Sequence, residues 1–328
     1  MYATGNKKML NMLILEILHM YSDEDHALTQ QEIIKLLDKN YSMPCDRRSV
    51  KNNVISLKEL GYDISMDKGY RLMSRDFDDA ELRILIDSVL FSKSISTRQA
   101  KGLIEKLRKL GSKYFDKKVS HVSNLPELNR TINKQAMYSL DVINDAISEK
   151  HQIGFIYNDT GTDFKLHPRS EKEYVVNPYQ IVANNGRFYL ISNSDGHENV
   201  SHYRIDKMTN VRMLDSKARS MKEIPELSNG LNLPKHMAEH MYMFSGESIN
   251  VKIETSSDMM SQLVDWFGTD FSIVKEKDGM IQARLKCNEN AMRFWALQYG
   301  PYVEVLEPGY LRDKIKEDIE LMKEKYFK

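Results

Sequence analysis

The apolar positions of the first sixty residues repeat at helical spacing in three separate blocks. Leu10, Leu13, Ile14, Ile17 and Leu18 fall on one side of a helix over 7–21. Thr29-Gln30-Gln31-Glu32 has capping-box spacing, and Ile33, Ile34, Leu36 and Leu37 give the helix behind it a buried side. After the Met43-Pro44 break, Asp46 caps a third helix that runs to Leu60 and stops at Gly61. The period then shortens to two strands, around Ile64 and over 70–72, joined through the turn residues Asp67-Lys68-Gly69. Three helices followed by a hairpin is the order of a winged helix-turn-helix, which we assign to residues 1–75.

Helical stripes over 79–92, 97–115 and 138–150 predict a helical connector at 76–150. From His151 the pattern changes to short strands at 153–157, 174–182, 188–192, 202–205 and 211–214. The turn signals Asp159-Thr160-Gly161 and Asn184-Asn185-Gly186 separate them, so 151–215 reads as a small all-β domain. Residues 216–247, with Pro225, Gly230 and Pro234, read as a linker. Strands at 250–254, 271–275, 280–286 and 303–306 and helices at 258–267 and 289–299 then give a βαββαβ order, the ferredoxin-like split. A closing helix carries Leu311, Ile315, Ile319, Met322 and Tyr326 as one stripe, completing a domain at 248–328. The fold class is multidomain α+β.

Composition adds bounds. With 328 residues, 41% hydrophobic and 29% charged, the chain is that of a folded protein of several domains. Lys plus Arg number 47 and Asp plus Glu also 47, so any attraction to nucleic acid must come from a local basic face. The apolar run near the start contains Glu16 and His19 with no cleavage site after it, and no stretch approaches the ~20 apolar residues of a membrane span. Cys45 and Cys287 lie far apart and suggest no disulfide framework. A cytoplasmic protein without a membrane partner is expected.

The third helix has such a basic face. If Val50, Val54 and Leu57 point inward, Arg48, Asn52 and Ser56 lie opposite, flanked by Arg47, Lys51 and Lys58, with Ser49 in the same first turns. Arg reads guanine and Asn reads adenine in the major groove, while flanking cations suit phosphates. Lys68 and Arg71 on the hairpin extend the DNA-binding set, and the alternative is a helix face charged only for solubility. The expected partner is a duplex operator, an inverted repeat bound by a homodimer.

Enzyme chemistry finds few marks. No P-loop, dinucleotide fingerprint or nucleophile elbow occurs. His236-Met237-Ala238-Glu239-His240 fits H-x-x-E-H, a zinc-hydrolase pattern, but falls in the apparent linker; we expect no metal, cofactor or catalytic residue. Cys45 precedes the third helix, where helix-end amides can lower a thiol pKa, although a half-buried turn residue is the simpler reading.

Arg47-Arg48-Ser49-Val50, Leu57-Lys58-Glu59-Leu60-Gly61-Tyr62-Asp63-Ile64 and Lys68-Gly69-Tyr70-Arg71-Leu72 together resemble the winged helix of DeoR-like regulators. Asn177-Pro178-Tyr179-Gln180-Ile181-Val182, Asn185-Gly186-Arg187-Phe188-Tyr189-Leu190 and Tyr203-Arg204-Ile205-Asp206-Lys207-Met208 resemble the signature blocks of WYL-domain regulators, with Phe188 in place of Trp. Phe294-Trp295-Ala296-Leu297-Gln298-Tyr299-Gly300, followed by Val303-Glu304-Val305-Leu306-Glu307-Pro308, resembles their C-terminal extension. The resemblance implies a dimeric transcription factor whose Sm-like β-barrel senses a nucleic-acid or nucleotide-like effector. Two departures stand out: Asn52-Asn53 where relatives usually have Arg-Asp, and Lys207 for a frequent Arg.

The residues themselves suit that effector. Arg187, Arg204 and Lys207 are cations for phosphate, and Tyr179 and Tyr189 are rings on which a base can stack, as binding of single-stranded nucleic acid requires. Phe188 and Leu190 read as core. The alternative for Arg204 is an ion pair with Asp206, and for the middle and last domains a role in dimerisation alone.

Overall fold

The computed structural model describes residues 9–119 and 130–327. The chain divides into two compact units, Met1–Arg130 and Thr131–Lys328.

In the first unit, α1 (Leu10–Tyr21), α2 (Gln30–Tyr41) and α3 (Arg47–Glu59) enclose one core of Ile14, Leu18, Ile33, Leu37, Val50 and Val54. The part of the first helix expected before residue 9 lies outside the described residues. The Thr29 capping box is present: the Glu32 amide donates to the Thr29 hydroxyl at 3.2 Å, and the Thr29 amide to the Glu32 carboxylate at 2.8 Å. Asp46 takes the Ser49 amide at 2.7 Å, so α3 begins where a side-chain acceptor relieves its first free donors. Strands β1 (Ile64–Ser65) and β2 (Arg71–Leu72) pair antiparallel, and Tyr70 bridges to Leu28 before α2. Gly69 has φ +126°, and a Cβ there would sit 2.8 Å from the Ala27 side chain, so both conformation and space demand glycine.

Helices α4 (Asp79–Phe91), α5 (Thr97–Arg108) and α6 (Lys113–Val119) follow. The single helix expected over 97–115 is broken at Gly111-Ser112. The Ser112 hydroxyl accepts from the Tyr114 and Phe115 amides at 3.2 and 3.3 Å and so caps a new helix.

The second unit opens with α7 (Ala136–Glu149). It packs Ile143 and Ala146 into the core of an antiparallel sheet built from β3 (His151–Thr160), β4 (Leu166–Pro168), β5 (Tyr174–Asn184), β6 (Arg187–Asn193), β7 (Ser201–Arg204) and β8 (Met208–Lys217). This helix therefore belongs with the sheet, unlike the connector expected over 76–150. Its apolar stripe is satisfied by β3, β5 and β8. The strand order is β4-β3-β5-β6-β7, and β8 pairs with β3 as well, which curls the sheet. Asn185 and Gly186, at φ 50° and 75°, make the tight turn between β5 and β6 that their sequence announces.

The stretch expected as a linker is folded. Two 3₁₀ turns, Met221–Glu223 and Pro225–Leu227, and α8 (Leu233–Glu239) cover the sheet, with Ile224, Leu227 and Met243 buried against Tyr179, Val182 and Ile191. The last part has β9 (Ser248–Ser256), α9 (Met260–Phe267), β10 (Ser272–Lys277), β11 (Met280–Asn288), α10 (Glu289–Gln298), β12 (Val303–Glu307) and α11 (Gly309–Tyr326). The sheet order β10-β11-β9-β12 is that of the split βαββαβ arrangement. No helix of the described residues is long and apolar enough to cross a membrane.

Candidate nucleic-acid interface

Val50, Val54 and Leu57 are buried under α3, so the opposite side faces outward. Arg47, Arg48, Lys51, Asn52 and Lys58 are exposed, as is Lys68 at the hairpin tip, and none of the five cations has an ion-pair partner among the described residues. Ser49 and Ser56 are only half-exposed, and the Ser49 hydroxyl donates to Asp46, so its first role is in the cap. Asn53 turns back to donate to the Ser49 carbonyl at 2.7 Å, which leaves Asn52 as the outward amide of the pair.

Arg71 does not join this face. Its guanidinium donates to the carbonyls of Glu24 and Asp67, each at 2.9 Å, and thereby holds the hairpin to the loop before α2. Arginine serves because its planar fork spans two carbonyls. Cys45 has its thiol pKa raised, by burial first and by the Asp46 carboxylate second, so the activated thiol considered from its position before α3 is not built.

On the sheet, alternation along β6 puts Phe188 and Leu190 into the core and Arg187 and Tyr189 on the other face. Register places Tyr189 opposite Arg204. Both arginines converge on Asp206, which is only 4% exposed: Arg187 Nη1 at 2.7 Å, Arg204 Nε at 3.0 Å and Nη2 at 2.7 Å. Beside them Arg169 donates twice to Asp159 at 2.8 Å and stands 4.9 Å over the Tyr157 ring, while Lys207 reaches Asp159 at 3.2 Å. The Arg169 bonds, foremost, hold Asp159 well below the usual carboxylate range. The Tyr157 hydroxyl, which accepts the Arg204 amide at 3.2 Å, links the two groups. Four cations thus meet two carboxylates, and the face keeps positive charge after every ion pair is made. Under it lies a ring cluster of Phe155, Tyr157, Tyr174 and Tyr203 with centroids 5.1–6.2 Å apart.

Tyr179 is not brought to this face. It is 7% exposed in the apolar cluster under the 3₁₀ turns, against which Tyr189 packs from the partly exposed side; its hydroxyl has no partner among the described residues, and burial pushes its pKa up to about 12. The sequence reading missed Asp159 and Arg169, which meet across a β-hairpin, and the double role of Asp206. Only the alternating cation and aromatic pattern of 187–207 hinted at the cluster.

In the H-x-x-E-H segment, the Glu239 carboxylate pairs with Lys286 of β11 at 3.3 Å. That ion pair occupies one oxygen of the carboxylate to which the hydrolase pattern gives the general-base role.

Residues 139–213 match the WYL domain family and residues 247–323 the WCX domain family. The chain is 23% identical over 185 residues to an uncharacterized HTH-type transcriptional regulator, YobV, of Bacillus subtilis (strain 168); the match covers 56% of this chain and 54% of that protein. Among solved structures, similarity extends to proteasome accessory factor B/C (PafBC) of Arthrobacter aurescens (13% identity, TM-score 0.32, 98% of this chain and 49% of that one). A CRISPR Cas-related protein is also similar (15% identity, TM-score 0.39, 77% of this chain and 75% of that one). The WYL match falls on α7 to β8 and the WCX match on β9 to α11, and these two matches together with the HTH-type relative support a WYL-domain transcriptional regulator.

Proposed function

We propose that the chain is a DNA-binding regulator whose N-terminal helices and hairpin act as a winged helix-turn-helix and whose sheet acts as an Sm-like sensor of a nucleotide-like or single-stranded nucleic-acid effector. The observation that carries the DNA reading is the unpaired basic face of α3 beside the exposed Lys68. Arg48 and Asn52 are the base readers, and Arg47, Lys51, Lys58 and Lys68 neutralise phosphates. Arg71 drops out of the contact set because its guanidinium is tied to the Glu24 and Asp67 carbonyls.

Fluorescence anisotropy with operator duplex tests this. Arg48→Ala should cost about 1–3 kcal/mol at the specific site and relax base preference there, whereas Lys51→Ala should weaken all sequences alike and lower the salt slope by about one. Unchanged affinity in both variants would remove α3 from the interface.

For the effector, Arg187, Arg204, Arg169 and Lys207 supply the phosphate-binding charge and Tyr189 the stacking ring. Dimerisation is assigned to α11. Leu311 and Ile315 pack inward, but Ile319, Met322 and Tyr326 of the same stripe are 49%, 45% and 79% exposed, a surface that a second copy covers. Ile319→Lys combined with Met322→Lys should weaken the dimer about tenfold or more in light scattering. A dimer of undiminished stability would place the contact elsewhere.

A further inference from the structure

The histidines of the H-x-x-E-H segment acquire a partner from outside the pattern. The Asn232 side chain takes the Lys235 amide at the start of α8, and the His240 amide donates to the His236 carbonyl at 2.9 Å. One helical turn thus places His236 and His240 on the same side. Glu226, on the 3₁₀ turn Pro225–Leu227, is held facing them because Ile224 and Leu227 on either side are buried. Its Oε1 lies 3.5 Å from His236 Nδ1 and 3.0 Å from His240 Nε2. One ligand atom from each of the three residues falls within 4.8 Å of the others.

Proton accounting at these atoms points to a cation. A neutral imidazole has one N–H and one lone pair. His240 Nδ1 lies 3.1 Å from the Phe244 carbonyl, which only accepts, so Nδ1 holds the proton and the Nε2 lone pair faces the Glu226 carboxylate. His236 Nε2 lies 2.8 Å from His202 Nε2, so one of the two donates: from His202 the His236 Nδ1–H is left for the Glu226 carboxylate, and from His236, the tautomer that a metal selects, the Nδ1 lone pair faces Glu226 too. Lone pairs from two buried rings and a carboxylate then point at one another, an arrangement that a divalent ion satisfies. Each histidine also has an acceptor for its other ring nitrogen, the second layer that metal-binding histidines almost always show.

We propose that Glu226 Oε1, His236 Nδ1 and His240 Nε2 bind one divalent transition metal, zinc by the chemistry of the donors, with His202 orienting His236. Two imidazoles and one carboxylate suit zinc, whereas calcium and magnesium require more oxygen ligands. With bonds near 2.0–2.1 Å, tetrahedral ligands stand about 3.3 Å apart; the two separations from Glu226, 3.0 and 3.5 Å, bracket that figure, and the two histidine nitrogens, within 4.8 Å of each other, draw in around the ion. The Glu226 side chain is 29% exposed, so entry and the fourth ligand come from that side. The ion would clamp the turn after β8 to α8, fixing the segment between the WYL and WCX domains.

The test uses the full chain, stripped with chelator and titrated with zinc by calorimetry, and with cobalt by its d–d absorption. The expected result is one ion per chain, a four-coordinate cobalt spectrum and a rise in Tm with zinc. Glu226→Gln and His236→Asn should lower zinc affinity at least about 100-fold, and His202→Ala, which removes only an orienting partner, about 10- to 100-fold. Glu239→Gln should stay within about twofold of the wild type, since its carboxylate faces Lys286. Should His236→Asn fail to fold, the partly exposed Glu226→Gln and the His202→Ala readouts decide. No saturable zinc binding by the wild type, affinity unchanged by Glu226→Gln, or affinity abolished by Glu239→Gln would each overturn the assignment.

Discussion

Asp206→Ala is expected to destabilise the WYL domain by about 3 kcal/mol, the lower end of the range for breaking a buried ion pair from one side. The carboxylate takes three guanidinium N–H groups from Arg187 and Arg204, and no other acid is paired with either arginine among the described residues. Those side chains remain 23% and 29% exposed, so they can turn partly to water once the carboxylate is gone, which sets the effect below the figure for fully buried charges. Asp206→Asn keeps one acceptor oxygen and should cost less, about 1–2 kcal/mol. Urea denaturation followed by near-ultraviolet dichroism of the tyrosine cluster measures both.

Asp206→Asn compared with Arg204→Ala separates a sensor from a scaffold. Asp206→Asn adds one net positive charge to the face, so binding of a short single strand should tighten and its salt slope steepen by about 0.7. Arg204→Ala should do the reverse. If the arginines serve only to hold β6 to β7, both variants lose stability and neither changes oligonucleotide binding. Opposite signs in binding with the same sign in stability is an outcome that only a ligand role produces.

Local chemistry made part of this legible. The Thr29 capping box, the Asp46 cap, the buried side of α3 and the Asn185-Gly186 turn depend on residues within a few positions of one another, and all appear in the structure. The break at Gly111-Ser112 was hidden because the apolar stripe continues through it. Strand β4 was hidden because none of its three residues is buried and no alternation marks it. The fate of 216–247 was hidden for a different reason: proline and glycine spacing resembles a linker, while burial of Ile224, Leu227 and Met243 depends on a surface formed by β5 and β6. Candidate sites divide along the same line. The outward residues of α3 follow from helix geometry, but Glu226 meeting His236 and Arg187 sharing Asp206 with Arg204 are long-range encounters that spacing does not encode.

Trp295→Ala should cost about 3–5 kcal/mol, the range for emptying an aromatic site in a core. Trp295 is fully buried on α10, edge-on to Phe267 of α9 with centroids 4.9 Å apart and 5.1 Å from Tyr299. Truncation therefore removes contacts that join both helices to the WCX sheet. The indole N–H is buried with no hydrogen-bond partner among the described residues, a penalty that the ring's packing offsets. Trp295→Phe discards that unpaired donor along with part of the ring and should cost less than half as much. The loss should extend to assembly, because α10 also positions α11: Arg293 donates twice to Asp318 at 2.5 Å across the two helices. If α11 carries the dimer contact, Trp295→Ala lowers dimer stability in light scattering under conditions where Trp295→Phe remains dimeric. Equal destabilisation by the two variants would mean that the site is held by shape alone; a dimer unaffected by Trp295→Ala would detach assembly from the α10–α11 packing.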